Sequence, residues 1–270
     1  MFDQLTLPTI LNYGFMQRAL LAGTLIALTA PVIGNLLLIK RFTMITDTLA
    51  HMALLGVALG LLTGWAPLWS SLLVTSLVAM GIEWLRRHYQ LSGDSVLALM
   101  LPTGLALTLL LLGLANGFNA NLFSYLFGSV TTVQNQELWP MLGLSGLTLL
   151  LIAGNYRRLL FSCFDEVGAR LNGINTTFYN LLLMLLVAVT VALSAKIIGA
   201  LLVSALIAIP SLTSMRLAKS FKQSFFYSVG LALLAVHGGL WAAFYWNLPA
   251  GAAIVLLALG MFVVGRGRGK

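Results

Sequence analysis

Long apolar runs alternate with short polar connections along the whole chain. With about 17 to 25 apolar residues taken as one membrane crossing, nine candidate spans can be marked: 15–39, 47–63, 66–85, 95–114, 137–154, 178–193, 197–215, 225–246 and 250–265. No ten-residue alternating segments of the kind a membrane barrel needs are visible, so the spans are predicted to be helices. The expected fold class is an all-α integral membrane protein, a polytopic bundle of about nine transmembrane helices in which residues 1–270 form one transmembrane domain. Residues 1–14 read as an amphipathic lead-in with no removable signal peptide, since no basic n-region precedes the first apolar run. Pro31, Pro102 and Pro210 fall inside or near span ends, where neighbouring helices must re-satisfy the carbonyls they free.

Composition sharpens this picture. Hydrophobic residues make up 60% of the chain and charged residues 8%, against roughly 25% charged in a soluble domain. The net charge of +8 is spread between apolar runs and forms no single basic patch, which argues against nucleic acid as a partner and for orientation in a bilayer. Lys40 and Arg41, Arg86 and Arg87, the Arg157 to Arg170 group, the Arg216 to Lys222 group and the C-terminal Arg266, Arg268 and Lys270 all fall in alternate connections, leaving only Arg18 and Lys196 apart. The positive-inside rule then places those connections and the C-terminus in the cytoplasm and the N-terminus outside. The single cysteine, Cys163, excludes an intrachain disulfide framework and a cysteine-based zinc cluster.

Candidate chemistry concentrates in residues 46–64, T-D-T-L-A-H-M-A-L-L-G-V-A-L-G-L-L-T-G. Asp47 and His51 are one helical turn apart, so both side chains leave one face about 5–6 Å from each other. Gly56, Gly60 and Gly64 follow at spacings of four, a small-residue stripe suited to close helix approach in a membrane. Gly56 lies roughly 140° round the helix from His51, so one face can pack while the other carries chemistry. The competing reading makes Asp47 or Thr46 a helix cap and His51 a donor to a carbonyl. A metal site needs about four ligands, and one chain offers only these two convincingly; a twofold dimer would supply two of each. His237, beside Gly238 and Gly239, is a weaker metal candidate, and a lone buried histidine is usually structural. Glu83, Asp94 and Glu137 sit at span ends, where water keeps the cost of a charge small. In the seventh span Ala200, Ser204 and Ala208 form another small stripe ending at Pro210, readable as a helix interface or as the lining of a path.

Two connections stand out. Residues 115–136 carry no Lys or Arg and include Phe118, Phe123, Tyr125 and Phe127, suiting either an interfacial aromatic belt or a docking surface for an outside partner. The cytoplasmic connection 155–177 contains Ser162 followed by Asp165 and Glu166, as in a capped helix start, with Gly173 placed to end that helix. A short helix is predicted there, with Ala169 and Leu171 available to a cytoplasmic partner. The chain has no G-x-x-x-x-G-K-[ST] loop, no H-E-x-x-H and no nucleophile set beside a base, so it is not read as an enzyme and any ATP hydrolysis belongs to a partner.

The D-T-L-A-H-M-A-L-L-G-V-A-L-G stretch resembles the permease family of metal-ion ABC importers, those for zinc, manganese and iron chelates. The resemblance continues through L-F-S-Y-L-F-G-S, F-D-E-V-G-A-R-L-N-G-I-N, I-I-G-A-L-L-V-S-A-L-I-A-I-P-S and N-L-P-A-G-A-A-I-V-L. It implies a permease homodimer in the bacterial inner membrane, joined to a cytoplasmic ABC ATPase dimer and fed by an extracytoplasmic metal-binding protein. On this resemblance Asp47 and His51 match the family's second-helix Asp and His. Asp165, Glu166, Ala169, Arg170, Leu171 and Gly173 match its coupling helix. Gly56, Gly60, Ala200, Ser204, Ala208 and Pro210 are then packing or path-lining positions, and divalent metal is the cargo, with no permanently bound cofactor. Thr48 and Leu55 stand where many manganese members carry a small residue and a proline, which makes this chain look more like the zinc-uptake branch. The alternatives are a manganese or iron importer of the same family, a proton-coupled secondary transporter relaying through Asp47 and His51, or a structural anchor.

Overall fold

A computed structural model describes residues 13–114, 125–129 and 133–265. The lead-in expected over residues 1–14 lies almost wholly outside the described residues, as do Phe118 and Phe123 of the aromatic connection. Ten helices are labelled here in chain order: α1 (Gly14–Ile39), α2 (Ile45–Thr63), α3 (Pro67–His88), α4 (Gly93–Leu114), α5 (Asn135–Phe164), α6 (Glu166–Leu171), α7 (Thr176–Ile198), α8 (Val203–Leu217), α9 (Phe221–Trp246) and α10 (Ala250–Gly265). Each of the nine expected spans falls on one of the nine longer helices, and no strand occurs among the described residues. Seven are long and apolar enough to cross a bilayer, whereas α8 and α10 are shorter apolar helices.

Helix ends follow from local chemistry. Pro67 starts α3, where its missing N–H costs nothing, and Arg86, Arg87 and His88 complement the dipole at its end. The side chains of Asn175 and Ser220 accept from the backbone N–H groups of Phe178 and Gln223 to cap α7 and α9. Gly64 ends α2 at φ 75°, and nothing lies near its missing side chain. The stripe expected over Gly56, Gly60 and Gly64 therefore stops at Gly60, and Gly64 serves a left-handed cap instead.

α1, α2 and α7 run through the middle of the bundle, with α4, α5 and α9 at its edge. Close packing rests on small residues, as expected where lipid tails are as apolar as the helix partner. A methyl at Gly34 would meet the Ile207 carbonyl oxygen at 2.1 Å, so α1 and α8 cross backbone to backbone. Ser211 Oγ sits at that crossing within bonding distance of the Pro31 and Ile207 carbonyls, and Asn35 with Ser214, Ser224 and Ser228 adds a fully buried hydrogen-bonded cluster beside it. On α3, Trp69, Leu73, Leu77, Met80 and Trp84 remain exposed along one face, an apolar stripe that fits lipid or a second membrane chain.

Two boundaries differ from expectation. The fifth span does not stop at Gly154: α5 continues as helix through Asn155, Arg157 and Arg158 to Phe164, because charge ends a hydropathy run without ending a helix. Ser162 is thus a helical residue and no cap, its Oγ donating to Asn180 Oδ1 at 3.3 Å. The seventh span is broken between Ile198 and Val203. Backbone from residues 125–129 inserts there, with the N–H of Ala200 donating to the Tyr125 carbonyl at 2.8 Å. A side chain at Gly199 (φ 91°) would collide with Leu126 O at 2.4 Å. Ala200 therefore lies off the helix that carries Ser204 and Ala208, and the stripe expected across all three does not form.

Candidate functional site

α2 presents two unlike faces. On one, a methyl at Gly56 would meet Ser71 Cα at 2.5 Å and one at Gly60 would meet Ser70 Oγ at 2.3 Å, so the second half of α2 is interlocked with the start of α3. On the other, positions 47, 51, 55 and 59 lie one above the next. Asp47, His51 and Leu59 are half-buried there, whereas every other residue from Ile45 to Gly60 is buried, Leu55 at 8% exposed. Before its exposed last turn, this is the face of α2 that the rest of the chain leaves least covered.

Neither alternative reading of the pair is realised. α2 starts at Ile45 with no side-chain cap at its N-cap residue, and Thr46 Oγ1 donates to the Thr43 carbonyl at 2.7 Å. Asp47 therefore sits inside the first turn and caps nothing. His51 Nδ1 is buried and has no hydrogen-bond partner among the described residues. An orphaned ring nitrogen in a membrane helix is costly unless something binds it. No group of three or more His, Cys, Asp or Glu able to hold a metal forms among the described residues, so a site built on this face needs donors from elsewhere.

His237 is different. Its Nε2 lies 3.2 Å from Thr24 Oγ1 and its Nδ1 2.9 Å from the Leu233 carbonyl, so both ring nitrogens are occupied, Nε2 joining α9 to α1 and Nδ1 within α9 itself. The structure does not bring it to Asp47 and His51, because α9 packs on α1, α8 and α10. Ser204 and Ala208 are half-buried on α8, whose Val203, Leu206 and Ile207 are buried, and α8 runs beside α2. Pro210 is buried.

The two basic residues outside the main pattern are both engaged. Arg18 Nη1 donates to Asn135 Oδ1 at 3.3 Å, and Lys196, nearly buried, pairs with Glu137. The pair lies in a polar cleft of about 760 Å³ with Tyr125, Gln134, Gln136, Trp65 and Trp69 on its walls. Glu137, expected beside water at a span end, is thus partly withdrawn and neutralised.

At the opposite end, Asp165 caps α6 by accepting from Gly168 N at 2.9 Å, and Gly173 follows in the left-handed conformation at φ 76°. Ala169 is fully buried against the chain, which removes it from the surface expected to meet a partner, while Leu171 is 83% exposed. Phe164 at the end of α5 and Val167 on α6, which sequence reasoning did not single out, are also exposed. The signal for Val167 was present: it stands one turn before Leu171 on a helix too short to bury both faces. Glu166 faces inward, toward Arg86, Arg87 and Asn180. Glu83, expected near water, is 2% exposed and clasped by Arg86 and Arg87. Beside them Lys40 donates to Asn180 Oδ1, and burial there pulls its ammonium below the ordinary lysine range.

Known proteins match this chain throughout. The ABC 3 transport family matches residues 12–266. The high-affinity zinc uptake system membrane protein ZnuB of Buchnera aphidicola is 30% identical over 87% of this chain and 90% of its own. The manganese transport system membrane protein MntC of Listeria innocua is 26% identical over 96% and 92%. Among solved structures, PsaBC from Streptococcus pneumoniae in complex with Fab superposes with a TM-score of 0.84 at 27% identity, covering 95% of this chain and 92% of that one.

Proposed function

Because the chain belongs to the ABC 3 transport family and is a metal-transport permease of the membrane, we propose that it is the membrane subunit of an importer of divalent metal, zinc in preference to manganese. Two copies face each other across the uncovered stripe of α2, and Asp47 and His51 from each give a four-donor site of two carboxylates and two imidazoles. The observation that carries this reading is the orphaned, buried His51 Nδ1 on the same half-open face as Asp47. Such a donor set binds a partly dehydrated ion and, with only two donors per chain, releases it when the two copies move apart. Ser204, Ala208 and Pro210 on α8 border the path, and Gly56 and Gly60 fix α2 against α3.

Energy comes from a cytoplasmic ATPase dimer that seats the exposed Val167 and Leu171 of α6, with Phe164 just before it and Asp165, Arg170 and Gly173 setting the shape of the turn. An extracytoplasmic metal-binding protein delivers the ion at the opposite end, near the aromatic connection and the Lys196–Glu137 cleft. The N-terminus is then outside and the C-terminus in the cytoplasm, in a bacterial inner membrane.

Zinc is favoured by the D-T-L-A-H form of the motif. Manganese is the second reading, supported by the 26% identity to a manganese transport protein; mixed nitrogen and oxygen donors suit both ions. Vesicles holding the permease with its ATPase and binding protein decide between them. ATP-dependent uptake of radioactive zinc resisting a tenfold excess of manganese supports zinc, and the reverse competition supports manganese. Uptake by the permease alone under a proton gradient, with no ATPase present, would overturn the ABC reading in favour of a secondary transporter.

A further inference from the structure

Glu83 lies near the end of α3 with its carboxylate inside the bundle, and two arginines from its own helix take up both oxygens. Arg86 donates through Nε and Nη2 at 3.0 Å each, and Arg87 through Nε at 2.6 Å. One carboxylate between two guanidiniums leaves one net positive charge, and the nearest acid from another element is Glu166, the first residue of α6. Its Oε1 lies 3.5 Å from Arg86 Nη2 and 3.9 Å from Arg87 Nη2. The same oxygen accepts from Asn180 Nδ2 of α7 at 3.0 Å. Asn180 in turn accepts from Lys40, just after α1, and from Ser162 of α5. The ends of five elements thus meet at Glu166 and Asn180.

The two halves of this junction differ in tightness. The bonds to Glu83 are at full hydrogen-bond length, whereas those from the arginines to Glu166 are longer than the 2.7–3.2 Å of an N–H to oxygen bond. Arg87 Nη2 is buried with no hydrogen-bond partner among the described residues. A shift of α6 toward α3 by about 1 Å would close that bond. Beyond the junction, α3 is interlocked with α2 at Gly56 and Gly60, where a methyl has no room.

We propose that Glu166 is a positioning residue that fastens α6 to α3 through Arg86 and Arg87, themselves aimed by Glu83, so that displacement of α6 moves the interlocked α3 and α2 and with them Asp47 and His51. The proposal rests on the reading of α6 as the helix seated in the ATPase. It assigns Glu83, Arg86 and Arg87, outside α6, to energy coupling.

The test is the number of metal ions imported per ATP hydrolysed by the full complex in vesicles. Glu166→Gln keeps the shape and an acceptor for Asn180 but removes the charge; the ratio is expected to fall at least about fivefold, the lower end of usual coupling strengths, while ATPase and permease still co-purify. Arg86→Gln should lower it too, and the double variant should be no worse than Glu166→Gln alone, because both cut one linkage. If Glu166→Gln fails to assemble, Arg87→Lys carries the test: it keeps the charge, loses the fork, and should lower the ratio about threefold, a size typical of residues that modulate coupling. An unchanged ratio in the assembled variants, or losses that multiply in the double variant, overturns the proposal. Leu171→Asp separates this from the reading beneath it. If Leu171→Asp uncouples and Glu166→Gln does not, only the linkage fails; if Leu171→Asp changes neither assembly nor the ratio, the role of α6 fails and the linkage with it.

Discussion

Apart from His88 at the very end of α3, two histidines lie within the membrane helices, and they occupy opposite situations. His237 spends both ring nitrogens on structure, one toward Thr24 on α1 and one toward the carbonyl a turn earlier. His51 spends Nδ1 on nothing among the described residues, although that atom is buried. A bilayer penalises unmet polar groups by several kcal/mol each, so a satisfied imidazole stabilises helix packing, and the proposed function makes the unsatisfied one, with the carboxylate of Asp47 one turn away, a place for a cation.

The largest expected effect comes from removing the unsatisfied member. His51→Ala or Asp47→Ala, assembled with the ATPase, should lower metal uptake by at least about 100-fold, above the roughly 10–100-fold cost of losing even an outer-shell partner of a metal ligand. Thermal stability should change little, because packing uses the other face of α2. Wild-type uptake should also weaken once external pH is low enough to protonate the imidazole, since the ligand form is the neutral ring.

Gly56→Ala tests the opposite face. With Ser71 Cα 2.5 Å from the new methyl, overpacking should cost about 1–3 kcal/mol, read as a lower melting temperature in detergent. Uptake per assembled complex should fall far less than in the Asp47 and His51 variants. A variant as stable as wild type would show that α2 and α3 are not locked together.

His237→Gln should have the smallest effect, about 0.5–1.5 kcal/mol for lost hydrogen bonds, with uptake retained. Uptake abolished in a stable His237→Gln complex would erase the contrast between the two histidines.

How much of this was legible in the sequence depends on how local each cause is. The spans were legible because every long apolar run had to become a helix in a bilayer. Asp47 and His51 were legible because their relation is a single turn. The extension of α5 past Gly154 was not, since Arg157 and Arg158 end hydropathy without ending hydrogen bonding along the helix. Ala200 was misplaced because the break at Gly199 is made by backbone from residues 125–129, remote in sequence. The burial of Ala169 depends on which side of a six-residue helix meets the bundle, which spacing alone leaves open. Glu83 with Arg86 and Arg87 shows i+3 and i+4 spacing and was readable as a cluster, but its partner Glu166 is not local.

The central claim, one metal held jointly by Asp47 and His51 of two copies, is tested most directly by counting. Zinc or manganese bound at equilibrium to the purified permease and ATPase complex, measured by calorimetric titration with elemental analysis, should saturate at one ion for every two permease chains. That ion should be lost in both Asp47→Ala and His51→Ala. One ion per chain, or undiminished binding in the two variants, would contradict it.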